Sequence, residues 1–315
     1  HTCYDVSTHS DFYMSHRLKN LPLIIVSLML TACANVDSIS DQASRALHDE
    51  QKLEVCQALT VENNNRSGEK GLDPEDISIL NWNIYKGNNE GWQKDLSSFA
   101  KSHDVMTIQE AYLDDELSGL LQTNNFNWSM NTAFHLNGTA AGVMTVANSK
   151  AIQSCGFQNK EPIIRVPKAT LVSYYNIDGL DSKLLVANIH GINFTLGITA
   201  YREQLEQLFD SIRHHDGPMI VAGDFNSWSD DRMAEVMRLI DKLSLSPLDY
   251  HVNNKTHLFG NAIDHVFYRQ LQPVSKKVWQ VSSSDHNPIS VTFRLKPDSR
   301  LIAVRETPEA CADSC

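Results

Sequence analysis

Carboxylates, amides and imidazoles recur in this chain in short clusters, each at or near the end of an apolar run. In order they are Asn81-Trp82-Asn83, Gln109-Glu110, Asn188-Ile189-His190, Gly223-Asp224-Phe225-Asn226, Ile263-Asp264-His265 and Ser284-Asp285-His286-Asn287-Pro288. No cysteine stands among them. Oxygen donors of this kind suit Mg²⁺, Mn²⁺ or Ca²⁺ better than a structural zinc. A hard cation beside His side chains can neutralise a phosphate, deprotonate water and stabilise a leaving oxygen, so the chemistry indicated is hydrolysis of a phosphate ester.

Such clusters act together only if separate elements carry them to one mouth. The apolar runs predict strands at Ile77 to Tyr85, Val105 to Glu110, Gly142 to Ala147, Ala169 to Ile177, Leu184 to His190, Met219 to Gly223, Ile263 to Tyr268, Val274 to Val281 and Pro288 to Leu295. Leu205, Leu208, Phe209 and Ile212, then Met233, Val236, Met237 and Ile240, form two helical stripes. A weaker helix is expected around Ala46 to Leu59. So many strands exceed one comfortable open sheet, whereas two sheets packed face to face with helices outside bury all of them. Strand alternation turns Trp82 away from Asn83 into the core and His265 away from Asp264. His214 and His215 close an amphipathic helix, where cations are favoured, and Trp228 reads as a loop wall.

Over about residues 75 to 296 the ordered clusters resemble the endonuclease/exonuclease/phosphatase superfamily, which includes pancreatic-type deoxyribonuclease. The resemblance implies an α/β fold, a four-layer α/β/β/α sandwich with the site at the rim of the two sheets. It also implies roles: Asn83 supports metal and phosphate, Glu110 is the principal metal ligand, and Asp224 and Asn226 position water and phosphate. His286 matches the general base, oriented by Asp264, with Asp285 near the metal. His190 matches the group that stabilises phosphate or protonates the leaving oxygen. Tyr85 stands where the abasic-site branch has Asp, and Ala111-Tyr112 lack the basic residue that several DNA-cutting members place there. The chain thus looks closer to the deoxyribonuclease and sphingomyelinase-like branches. Lys168, in Val-Pro-Lys-Ala, resembles a phosphate-facing lysine of the latter; a solvated strand-end lysine is the alternative.

The 315 residues are 42% apolar, as in an ordinary soluble core, and 38 Asp and Glu against 27 Lys and Arg exclude a broad basic footprint for nucleic acid. A local cationic or metal-filled cleft remains compatible with a nuclease. Met14, Arg17, Lys19 and the apolar run Leu21 to Leu30 predict a signal peptide over 14–32, with residues 1–13 an over-extended start. Leu30-Thr31-Ala32-Cys33 resembles a lipobox, which implies an acylated Cys33 and an outer-membrane lipoprotein. Residues 33–73 then form a tether, 74–297 the catalytic domain and 298–315 a tail. Cys56, Cys155, Cys311 and Cys315 are expected to be at least partly disulfide-paired in an oxidising compartment; a zinc site at Cys311 and Cys315 is the weaker alternative.

The expected function is a Mg²⁺- or Mn²⁺-dependent phosphodiesterase, monomeric and membrane-anchored, with nucleic acid as leading substrate class. Its rivals are a phospholipase C-like or phosphomonoesterase activity and a non-catalytic envelope-anchored binding module. Anchoring favours the lipid rival, and the lack of an obvious aromatic hairpin in the sequence counts against it.

Overall fold

A computed structural model describes Glu54–Val55 and residues 70–250 and 254–297. The expectations for the leader, Cys33, Cys56, Cys311, Cys315 and the tail lie outside the described residues. The strands of the first half are β1 (Glu54–Val55), β2 (Ile77–Asn83), β3 (Val105–Tyr112), β4 (Asn127–Leu136), β5 (Thr139–Ala147), β6 (Gln153–Lys160) and β7 (Pro167–Asn176). Those that follow are β8 (Lys183–His190), β9 (Met219–Asp224), β10 (Ser246–Pro247), β11 (His257–Leu258), β12 (Asn261–Ala262), β13 (Asp264–Arg269), β14 (Leu271–Val278) and β15 (Ile289–Leu295). The helices are α1 (Trp92–Ala100), α2 (Asp115–Thr123), α3 (Thr199–Ile212) and α4 (Asp230–Lys242).

One sheet runs β1-β6-β7-β8-β9-β13-β10, a second runs β14-β15-β2-β3-β5-β4, and β11 and β12 form a separate hairpin. Helices α3 and α4 lay Tyr201, Leu205, Leu208, Val236 and Ile240 on the first sheet. Helices α1 and α2 lay Trp92, Leu96, Leu117 and Leu121 on the second. A third cluster, with Ile79, Val105, Val186, Ile220, Val266 and Val291, fills the space between the sheets. This is the expected α/β/β/α sandwich.

The sequence reading missed β4, β6, α1 and α2. Polar residues interrupt β4 and β6, and α1 and α2 are short, with apolar faces diluted by Gln, Lys, Asp and Ser. Inside the helix expected at Ala46 to Leu59, Glu54–Val55 instead make an edge strand, parallel to Cys155–Gly156. Cys155 is disulfide-bonded, in line with the expected pairing.

Alternation explains where the polar groups fall. Odd positions of β9 (Met219, Val221) face the helices, and even positions (Ile220, Ala222, then Asp224) face the other sheet. The same inward row reads Leu184, Val186, Asn188, His190 in β8 and Ile77, Ile79, Asn81, Asn83 in β2. In each strand the inward row is apolar at one end and polar at the other. At the polar end, Gln109 Nε2 bonds both Asn81 Oδ1 at 3.0 Å and, across the sheets, Asn188 Oδ1 at 2.7 Å. These bonds help the amides stand in the interior, although Asn81 Nδ2 and Gln109 Oε1 are left without a partner.

His265 belongs to the opposite row, as alternation requires. It stacks on Phe267 at 5.4 Å and shares a 2.8 Å hydrogen bond with Ser227 Oγ. Burial, helped by nearby Lys255, pushes its pKa down to about 3. An unfolded His titrates near 6.5, so between those values the unfolded chain takes up a proton that the folded one refuses. His265 therefore contributes stability that is full above about pH 6.5 and is lost as pH falls, by up to about 1.4 kcal/mol per pH unit. We expect His265→Gln to flatten the decline in urea-unfolding stability between pH 6.5 and 4; an unchanged slope would contradict this.

Candidate active site

Six strands, with the loop before β15, deliver the site. Asp224 ends β9, and the register places Asp264 of β13 and His190 of β8 opposite it, one on either side. Gly223 makes that approach feasible: a Cβ there would sit 2.0 Å from the Ile189 carbonyl oxygen of β8. From the other sheet, Asn83 at the end of β2 donates from Nδ2 to Asp224 Oδ2 at 3.1 Å, while its Oδ1 accepts from the Tyr85 backbone N–H.

Glu110 arrives differently. Strand β3 does not end there, as expected, but runs on to Tyr112, with Gln109 pointing inward and the next residue due to point outward. The pairing with β5 slips between Ile108 and Ala111, and Glu110 adopts φ +53°, a left-handed conformation costly for a non-glycine residue. This bulge turns the carboxylate back into the site, a known use of bulges. There it is ion-paired with Lys86 and lies 3.9 Å from His190 Nε2.

His286 is pinned from several sides. Its Nδ1 is 2.8 Å from Asp264 Oδ2, its backbone N–H donates to Ser284 Oγ, and its carbonyl accepts from the Trp82 indole at 3.0 Å. Trp82 thus faces the core, as expected, yet also holds a site residue. His286 Nε2 looks toward Asp224 Oδ2 at 3.9 Å and Asp285 Oδ1 at 4.0 Å. Asn226, at φ +50°, folds its backbone N–H onto Asp224 Oδ1 and its amide onto the Gly191 carbonyl.

The electrostatics follow from this crowding. Burial lowers the His286 pKa, but Asp264, Asp224 and Asp285 outweigh it and raise the group to about 10. Burial lifts Asp224 to about 6, with His286 opposing. Burial also raises Glu110, yet Lys86, His190 and Lys168 together hold its carboxyl below the usual range. His190 is pushed well below its ordinary value by burial and then by Lys168, whose ammonium donates to His190 Nε2 at 2.9 Å. Lys168 is therefore a site residue and not a solvated strand-end lysine.

Two donor sets suit a hard cation. Glu110 and Asp285 supply carboxylate oxygens near enough for Glu110 to push Asp285 toward protonation, although burial is the larger cause of that rise. One ligand atom each from Asp224, Asp264 and His286 lies within 4.8 Å of the others. In the second set, however, the His286 Nδ1 to Asp264 bond is that of an oriented acid–base pair, which leaves Glu110 and Asp285 as the better cation anchor.

The chain matches the Endonuclease/Exonuclease/phosphatase family over residues 80–286. It belongs to that family. It is 38% identical over 221 residues to a UPF0294 protein of Vibrio campbellii, covering 70% of this chain and 78% of that one. With a UPF0294 protein of Klebsiella pneumoniae the identity is 39% over 226 residues, covering 71% and 84%. Among solved structures, the catalytic domain of human Nocturnin with bound sulfate shares the fold at TM-score 0.56 and 16% identity, covering 72% of this chain and 97% of that chain. A mannosyl-6-phosphatase of Bacteroides thetaiotaomicron does so at TM-score 0.51 and 16% identity, covering 69% and 99%.

The structure adds residues that sequence reasoning passed over. Lys86 lies in a loop and carries no motif. Arg232 reads from sequence as a surface residue of an amphipathic helix. It is instead buried, its guanidinium 4.5 Å from the Tyr201 ring centre and 4.4 Å from that of Trp228. It donates to the carbonyls of Ile192, Asn193 and Asn226 and to Thr195 Oγ1, so one side chain ties the loop after His190 to the loop after Asp224. Arg232→Met leaves those acceptors unpaired and should destabilise the fold by about 2–4 kcal/mol. Urea unfolding checks this; a change below about 0.5 kcal/mol, the scale of a surface substitution, would contradict it.

Proposed function

We propose that this chain is a divalent-cation-dependent phosphodiesterase anchored in the bacterial cell envelope through an acylated Cys33. The observation carrying the hydrolytic reading is the convergence of Asp224, the His286–Asp264 pair, the His190–Lys168 pair and Glu110 on one mouth. Glu110 and Asp285 would hold a divalent cation, which would supply charge neutralisation on the phosphoryl oxygens. Lys168, steadied by His190, adds a fixed positive charge beside them. Asp264 orients the His286 ring, and His286 Nε2 faces Asp224 Oδ2 at 3.9 Å, so the pair is placed to take the proton of an attacking water and return one to the leaving oxygen. His286 is the base of this pair and Asp224 positions the water, the roles the sequence implies.

A second reading, a lipid-headgroup diester as substrate, is favoured by the rim of the site. Leu196 is 91% exposed, Phe259 66% and Ile163 49%. The β11–β12 hairpin presents Leu258 and Phe259 at its tip. Hydrogen bonds link these loops: Glu161 accepts from the Asn193 backbone, and Trp228 donates to Asn193 Oδ1 while its ring meets Phe259.

The protein with Mg²⁺ or Mn²⁺ should hydrolyse a diester in a panel of DNA, RNA, phospholipid vesicles and a phosphomonoester, and should stop with a chelator. Glu110→Ala should weaken cation binding in calorimetry. His286→Ala should cut turnover by a factor of about 100 to 10,000 while leaving cation affinity nearly unchanged, with Asp264→Asn a milder version. Near wild-type turnover by His286→Ala would contradict the assignment; hydrolysis of nothing in the panel would favour the non-catalytic binding module.

A further inference from the structure

Both ends of the Lys86–Glu110 ion pair stand on strained backbone. Tyr85 (φ +52°), Lys86 (φ +55°) and Gly87 (φ +71°) are three consecutive left-handed residues, and Glu110 is left-handed at its bulge. A non-glycine residue so held is strained, and such strain persists only where surrounding contacts enforce it. Here they do. The Tyr85 N–H donates to Asn83 Oδ1 at 3.0 Å, Ile84 N–H to the Gln109 carbonyl at 3.1 Å, and Gly87 N–H to the Ile84 carbonyl at 3.0 Å. Gly87 packs so closely that a Cβ would lie 2.7 Å from the Trp92 ring nitrogen. The outcome is an ammonium directed inward onto the carboxylate best placed to anchor a cation. An ordinary surface ion pair needs none of this.

We infer that Lys86 is the built-in counter-ion of the cation anchor, which a divalent ion must displace from Glu110 in order to bind. The inference rests on Glu110 being that anchor, as the proposed function holds. Before an ion enters, Lys86 is the cation paired directly with a partly buried carboxylate that would otherwise face Asp285 with only the more distant His190 and Lys168 to answer it, so the loop and bulge keep their strained shapes. The cost is repulsion between ammonium and incoming ion, which sets cation affinity lower than the carboxylates alone would give. Cation occupancy then depends on the ambient level of the ion.

Manganese titration of the whole protein by calorimetry, without substrate, tests this. Lys86→Met and Lys86→Gln should bind Mn²⁺ at least about tenfold more tightly than wild type, whereas Lys86→Arg, which keeps the charge, should not. Glu110→Gln should abolish the gain in a Lys86→Met background. Circular dichroism confirms that each variant folds. Unchanged or weaker Mn²⁺ binding by both neutral variants, or an equal gain in Lys86→Arg, would overturn the inference. Because no substrate is present, a tighter site in a protein that cleaves no phosphoester would uphold the lysine's role while removing the hydrolase reading.

Discussion

Between two sheets that are each covered by helices, an inward-pointing polar side chain is tolerable only where it finds a partner, because unpaired burial costs more than the chain's net stability can bear more than a few times over. The interlayer here limits that cost by grading each inward row from apolar to polar along the strand, so that unpaired atoms such as Asn81 Nδ2 and Asp264 Oδ1 are few. Ile220, Ala222 and Asp224 make the point within one strand, and Leu184, Val186, Asn188 and His190 within its neighbour. The polar ends coincide because the register aligns them. The amides Asn81, Gln109 and Asn188 sit just below the mouth and bond to one another, while the ionisable groups occupy the mouth itself.

The grading makes the site rigid and electrostatically costly. Asp224, Asp264 and His286 are almost wholly shielded from solvent, and a buried carboxylate beside another is unfavourable unless cations answer it. His286, Lys168 and Lys86 provide that answer, each paired with a group that has a chemical use. Backbone strain is concentrated in the same place, at Tyr85, Lys86, Glu110 and Asn226. These residues are held by hydrogen bonds and by packing from both sheets, which is how a marginally stable fold can keep unfavourable conformations where reaction requires them.

Much of this was legible in the sequence, for physical reasons. Period-two alternation foretold the strands with continuous apolar runs, the direction of Trp82 and His265, and the gathering of Asp224, Asp264, His190 and His286 at strand ends. Part of what escaped depends on backbone that leaves the regular period. Glu110 was named from the family resemblance, but the bulge that carries it into the site was not, since alternation alone would have turned it outward. Lys86 enters through a left-handed turn, and Arg232 is buried because two loops close over it. Strands β4 and β6 were missed since polar residues interrupt their apolar positions. The Leu258–Phe259 tip was missed because strands of two residues leave no periodic signal.

The central claim is that this mouth directs water to phosphorus. Hydrolysis of the best diester in ¹⁸O-enriched water, with products analysed by mass spectrometry, tests it most directly. The account predicts one ¹⁸O on the phosphorus-bearing product after a single turnover and none in the released alcohol. Label in the alcohol would place the bond cleavage at carbon and contradict the account.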